Sequence, residues 1–394
     1  MKSNYRYIVK AFMAMAVIAG TTSCDDFLDR EPMSSISPET YYSTAAQLEA
    51  NLNDEYPNVL PSFGQWTYGI FGEDKGTDNQ IEVNANDRYT QDRWKVPHSE
   101  SDNWKFERIY RINFFLSEAL PKFGEDMSGS QNTISGSVAT IKHYIGEMYF
   151  LRAYEYFKKL QLFGDFPIID QPLADEMEAL REASKRFPRN EVARFIISDL
   201  DKAYAYMSDV DMATTRINKD AAMLVKSRVA LFEATWLQNF KGTAFVPGGE
   251  GWPGASLHNN YQYPSGNLDN EVKYFLEQAV EASKLVADKY KGNLTENTGV
   301  LQQSADDPSN PYFDMFAQED LSDVKEVLLW RQYARGLSTH NINAAAGRGN
   351  YRIGLTRGFV QNFLMKMVLR FMLTVLMRMV TAIIWATRRL LMYV

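Results

Sequence analysis

Three clusters of aromatic and polar residues carry the chemistry this sequence can do. The stretch from Asn58 to Pro97 contains Trp66, Tyr68, Asp74, Asp78, Asn79, Arg93 and Trp94, with Glu73 among them. A second irregular stretch, Gly242 to Asn267, contributes Trp252 beside Tyr261, and a third cluster holds Trp330 and Tyr333 around Arg331. Aromatic faces stack on the C–H surfaces of sugar rings, while Asp, Asn and Arg frame the hydroxyls. These residues are therefore candidates for glycan binding, on loop context alone. The plainer alternative for Trp66 and Trp94 is that they plug the core.

Bond-breaking chemistry finds less support. The four histidines, His98, His143, His258 and His340, are scattered without metal-ligand spacing. There is no His-Glu-x-x-His, no Gly-x-Ser-x-Gly elbow, no phosphate-binding loop and no dinucleotide glycine pattern. No metal and no cofactor is expected, and the chain reads as a binder and not an enzyme. Composition leaves a carboxylate pair for glycoside hydrolysis open, so a helical glycoside hydrolase is the alternative. Another is a scaffold that binds no ligand.

The positions of these clusters depend on where the chain goes and how it folds. Its 394 residues suffice for one large domain or two ordinary ones, and 45% apolar with 23% charged residues is the balance of a globular protein with a sizeable core. The formal net charge is −7, and loss of a leader carrying Lys2, Arg6 and Lys10 takes it three units further, to −10. Nucleic acid is not an expected partner, since phosphate binding needs clustered cations.

Residues 1–23 read as a secretory signal: a basic start, the apolar run Ala11 to Ala19, then small residues before Cys24. That run is too short to span a bilayer. Cys24 is the sole cysteine, so it makes no internal disulfide. Its place after the leader resembles the acylation site of a bacterial lipoprotein, which implies attachment to a membrane through N-terminal lipid. Asp25, Asp26 and Asp29 follow, a pattern that resembles the surface-export signal of Bacteroidetes lipoproteins.

The mature chain reads as dominated by α-helix. Helical spacing of apolar residues predicts one helix from Val138 to Leu162, stopped by Gly164 and Pro167. A second is expected from Asn190 as its N-cap, a third from near Lys219 to Trp236, and a fourth from Val272 to Tyr290. Small residues at Ala153, Ala203, Ala221, Ala222, Ala230, Ala279 and Ala282 would let paired helices approach closely and stack as a solenoid. The helices resemble degenerate tetratricopeptide (TPR) repeats, with long irregular loops between them for ligand. Arg152 shares its helix with Glu147 and Glu155 and lies ahead of Asp165, which predicts a structural ion pair locking that helix to the following turn. Gly164 is expected to leave the helix in a left-handed conformation.

Several of these segments together resemble the SusD/RagB family. They are Cys24 to Pro32, Gly146 to Phe157 with Leu162 to Ile168, Pro188 to Val192 with Ile197 to Ala203, Lys219 to Ala222, and Phe359 to Met365. The resemblance implies a non-catalytic, surface-exposed lipoprotein of the cell outer membrane, built on TPR-like helix pairs. Such proteins sit on a TonB-dependent, SusC-like transporter, capture oligosaccharide or polysaccharide, and deliver it; some members take peptides instead. The binding domain is expected over 24–366.

Residues 367–394 break the trend, with 21 apolar residues, four Arg and three Thr in 28. A membrane helix would bury Arg378 at a cost. Shifting the reading frame by two bases instead permits Asn/Asp-Gly-Leu-Pro-Ile-Tyr-Ala after Lys366, similar to the family's continuation. The tail is thus expected to be a frameshift product that leaves the domain incomplete, and an exposed apolar tail would impair folding.

Overall fold

A computed structural model describes residues 41–61, 74, 76–81, 103–124, 126–208, 212–300, 304, 306–334, 336, 339–340 and 354–363. The leader, Cys24 and the 367–394 tail lie outside them. Nine helices and one two-stranded ribbon make up the described residues, so the architecture is α-dominated as the periodicity predicts. The helices are α1 (Ala45–Val59), α2 (Glu107–Phe123), α3 (Val138–Phe163), α4 (Met177–Ala183), α5 (Arg189–Tyr206), α6 (Lys219–Asn239), α7 (Leu268–Tyr290), α8 (Pro311–Ala317) and α9 (Arg357–Gln361). Strands β1 (Gln80–Ile81) and β2 (Gly354–Leu355) pair antiparallel.

Local chemistry sets most helix starts. Thr44 and Gln47 form a reciprocal capping box at α1: the Thr44 hydroxyl accepts from the Gln47 amide at 3.3 Å, and Gln47 Oε1 accepts from the Thr44 amide at 3.0 Å. Asn218 and Asn267 cap α6 and α7 through their side-chain oxygens. The start of α5 differs from expectation. Pro188 occupies the cap position, since its fixed φ suits a helix entrance, and Asn190 is spent on tertiary hydrogen bonds instead.

Helix α3 is buried on nearly every side and forms the centre. It packs on α1, α2 and α5; α5 packs on α6, and α6 on α7, so each helix meets mainly its neighbours in the chain. Residue pairs Tyr156–Phe195 and Tyr149–Tyr206 show that α3 and α5 run antiparallel. Lys226–Asp201 with Arg189–Glu233 shows the same for α5 and α6, and Lys289–Asp220 with Lys241–Asp269 for α6 and α7. All seven alanines read as close-approach positions are buried. Gly146 makes a close helix-to-helix approach as well: a Cβ there would stand 2.8 Å from the Met207 amide nitrogen and 2.9 Å from the Ala203 carbonyl.

Buried ion pairs pin these interfaces. Arg152 on α3 donates to both Asp199 oxygens on α5 at 2.6 and 2.8 Å, and its remaining nitrogen reaches Asn113 and the Asp170 carbonyl. The expected Arg152 pairing within its own helix and turn is therefore replaced by a helix-to-helix pin. The turn keeps only the Asp170 carbonyl, because the guanidinium faces α5. Arg189 joins Glu233, Arg194 joins Glu271 and Arg216 joins Glu147 in the same way. Burial alone would favour neutral carboxyls, so such pairs hold only with their full set of hydrogen bonds. At the end of α3, Gly164 has φ 67° with ψ −103°, a positive φ that L side chains rarely adopt.

Candidate functional site

The third aromatic cluster is built on the entrance to α6. Asn218, the α6 cap, also donates its side-chain N–H to the Leu328 carbonyl at 2.5 Å, which lays the 328–334 segment across the helix start. Thr214 then holds Trp330 at two points: the Trp330 amide donates to its carbonyl at 3.2 Å, and the indole N–H to its hydroxyl at 2.9 Å. Trp330 is half-buried, so its ring is oriented yet reaches solvent. Beside it the Arg331 guanidinium lies 5.5 Å from the Tyr333 ring centre, and the His340 ring meets Tyr333 edge-on at 4.8 Å. His340 and Thr214 were invisible as site residues from sequence. The first was one of four scattered histidines, and nothing in spacing links Thr214 to a residue 116 positions away.

The described part of the first cluster is a tight turn clamped by distant sequence. Thr77 donates its amide and hydroxyl to the Asp74 carbonyl, at 3.2 and 2.7 Å, and Gly76 at φ 74° returns its amide to Gln80. The ribbon then joins Gln80–Ile81 to Gly354–Leu355. The Thr356 amide donates to the Asn79 carbonyl at 2.9 Å, and its hydroxyl to that of Asp78. The backbone is spent internally, which leaves the Asp74 and Asp78 carboxylates exposed and Asn79 half-buried. Trp66, Tyr68, Arg93 and Trp94 lie outside the described residues.

The second cluster is placed differently. Trp252 is 5% exposed, and its indole N–H donates to Asp165 at 2.7 Å. Its neighbours His258, Tyr261 and Tyr263 form a chain of ring contacts at 5.1 to 6.4 Å. The Tyr261 hydroxyl and Asn190 exchange hydrogen bonds, and the Tyr263 hydroxyl donates to the Pro247 carbonyl. Burial pushes both phenols well above the ordinary tyrosine range. Asp165 is also pushed up by burial, against the hydrogen bonds from Trp252 and the Arg189 amide. A side chain so enclosed presents no face for a sugar to stack on, which removes Trp252 from the loop set and makes it an anchor for the 242–267 segment.

Among the described residues, no group of three or more His, Cys, Asp or Glu is placed to hold a metal ion. Also among them, no helix is long and apolar enough to cross a membrane.

Comparison with known proteins gives a consistent match. A family model described as SusD-like, starch-binding and associating with the outer membrane, matches residues 26–231. SusD-like protein P2 of Formosa agariphila is 25% identical over 253 residues, covering 61% of this chain and 46% of that protein. SusD-like protein P25 of the same organism is also 25% identical, over 54% of this chain and 41% of its own length. The chain thus spans under half the length of these curated relatives. Among solved structures, a SusD-like carbohydrate-binding protein from Bacteroides fragilis aligns with a TM-score of 0.41 at 15% identity, over 66% of this chain and 42% of that one.

Proposed function

The chain belongs to the SusD-like family, and from that premise we propose that it captures glycan at the cell surface and delivers it to a partner TonB-dependent outer-membrane transporter. The observation that carries the reading is Trp330, a half-buried indole fixed at two points by Thr214 and flanked by Arg331, Tyr333 and His340. A preoriented aromatic face with polar groups around it binds a sugar ring at little entropic cost, since the side chain is ordered beforehand. The exposed Asp74 and Asp78, with Asn79, are suited to hydroxyl groups, and Trp66, Tyr68, Arg93 and Trp94 of the same loop complete the proposed surface. Cys24 carries the lipid that holds the protein at the outer membrane.

Binding leaves the glycan chemically unchanged. Titration with a panel of oligosaccharides, run beside an assay for new reducing ends, tests both halves of this statement. Saturable binding without new ends is expected, and Trp66→Ala or Trp94→Ala weakens it without loss of helicity. A rise in reducing ends would establish the hydrolase alternative, and saturation by peptides alone would move the ligand class. For the anchor, radiolabelled palmitate is expected in the full chain and absent from Cys24→Ala. For the partner, the native transporter is expected to co-purify from detergent-solubilised outer membranes.

A further inference from the structure

A cleft of about 330 Å³ opens along α5, lined by none of the aromatic residues proposed above for glycan binding, and its reading does not depend on theirs. One face of α5 supplies Arg194, Ile197, Ser198, Asp201, Lys202 and Ala205 at helical spacing; Tyr274 of α7 and Met127 add to the walls. The volume falls at the lower end for small-ligand sites. The wall at Tyr274 is stiffened from within: the Arg194 guanidinium lies 3.8 Å from its ring centre, and Glu271 and Ser265 hold that guanidinium in place.

Among the cations lining the cleft, Lys202 is the more loosely paired. Arg194 is neutralised by Glu271, and Asp201 by Lys226 at 2.7 Å. Asp199, the nearest carboxylate to Lys202, is already bound through both oxygens to Arg152 and approaches the Lys202 ammonium only to 3.8 Å. The Lys202 side chain is 42% exposed, with its ammonium 5.4 Å from the Tyr149 ring centre. On a protein of net charge −7, this is a local positive point beside an aromatic wall, an apolar floor and the Ser198 hydroxyl.

We infer that this cleft is a binding site for an acidic sugar, a pyranose ring bearing a carboxylate such as a uronic acid. The ring packs against Tyr274, its hydroxyls meet Ser198 and the second Asp201 oxygen, and its carboxylate pairs with Lys202.

Isothermal titration of the full chain with three probes tests this: a uronic-acid trisaccharide, a neutral trisaccharide of the same linkage, and a tripeptide with a free C-terminal carboxylate. Only the uronic acid is expected to be sensitive to substitutions in the cleft. Lys202→Met lowers its affinity about fivefold, the upper range for one exposed ion pair, and Lys202→Arg restores it. Tyr274→Ala lowers it roughly tenfold, whereas Trp330→Ala leaves this component unchanged. Lys202, Tyr274 and Trp330 are all half-buried, and far-ultraviolet circular dichroism checks that each variant is folded. Uronic-acid binding that is absent, or indifferent to both Lys202→Met and Tyr274→Ala, overturns the inference. A neutral sugar equally dependent on Lys202 overturns the role of charge, and a tripeptide that binds as well overturns the sugar.

Discussion

Trp252 and Trp330 both come from irregular segments, Trp252 from a Gly- and Pro-rich one and Trp330 from a charged one, and the structure places them differently. The indole N–H of Trp252 ends on Asp165, a half-buried carboxyl at the turn after α3, and the residue is left only 5% exposed. The indole N–H of Trp330 ends on the hydroxyl of Thr214, in the segment leading into α6, and its ring stays half-exposed. An indole must satisfy its N–H wherever it is buried. What separates an enclosed indole from a half-exposed one is therefore where the acceptor sits, and no feature of the tryptophan itself.

The largest effect that follows is on stability. Trp252→Ala removes a buried ring and leaves one Asp165 oxygen without its donor, and it is expected to cost about 3–5 kcal/mol. Urea denaturation followed by circular dichroism measures this, and the folded fraction should bind glycan as before. A stable Trp252→Ala protein with weakened glycan binding would reverse the assignment. Next, Gly146→Ala pushes a methyl against the backbone of Ala203 and Met207 and is expected to cost roughly 1–3 kcal/mol. Its binding should again be intact, since the frame and the platform are separate.

For Trp330, the proposed platform, the signs exchange. Trp330→Ala is expected to lower glycan affinity about tenfold, or about 1.4 kcal/mol, while the unfolding midpoint moves little. Thr214→Val keeps the size of the side chain and removes the hydroxyl that orients the indole. It should weaken binding by less than Trp330→Ala and shift Trp330 fluorescence. Unchanged affinity in both variants would take Trp330 out of the site.

The frame was the legible part of the sequence. α3 was readable to within one residue at its end, because 26 residues of apolar periodicity stop at Gly164. The apolar periodicity predicts neither α1 nor α2, although Thr44 and Gln47 carry a capping box at the right spacing for α1. Asn190 looked like a cap because caps are local, yet Tyr261 and Glu271 claim its amide from 71 and 81 residues away. The same limit hid the Arg152 pairing with Asp199 and the grip of Thr214 on Trp330. Composition can mark a loop as rich in aromatics, but the acceptor that decides their exposure is a tertiary fact.

The smallest predicted effect probes the frame by pH, because two carboxyls near the Trp252 segment are shifted in opposite directions. Burial pushes Glu271 up, but hydrogen bonds from Arg194, Asn190 and Ser265 outweigh it and hold the group below its ordinary value of 4.5. A carboxyl depressed on folding contributes stability above its unfolded pKa and loses it as pH falls through the folded one. Asp165 is raised above its ordinary 3.8, so its contribution is present below that value and is lost as pH rises through the folded pKa. Unfolding midpoints recorded from about pH 7 to about pH 3 should separate the two. Glu271→Gln flattens the acid limb, since the α5–α7 pin no longer depends on ionisation. Asp165→Asn removes the decline on the rising side while keeping an acceptor for the Trp252 indole. Parallel pH profiles in wild type and both variants would show that neither carboxyl is linked to folding, and would leave the inward pull on Trp252 to packing alone.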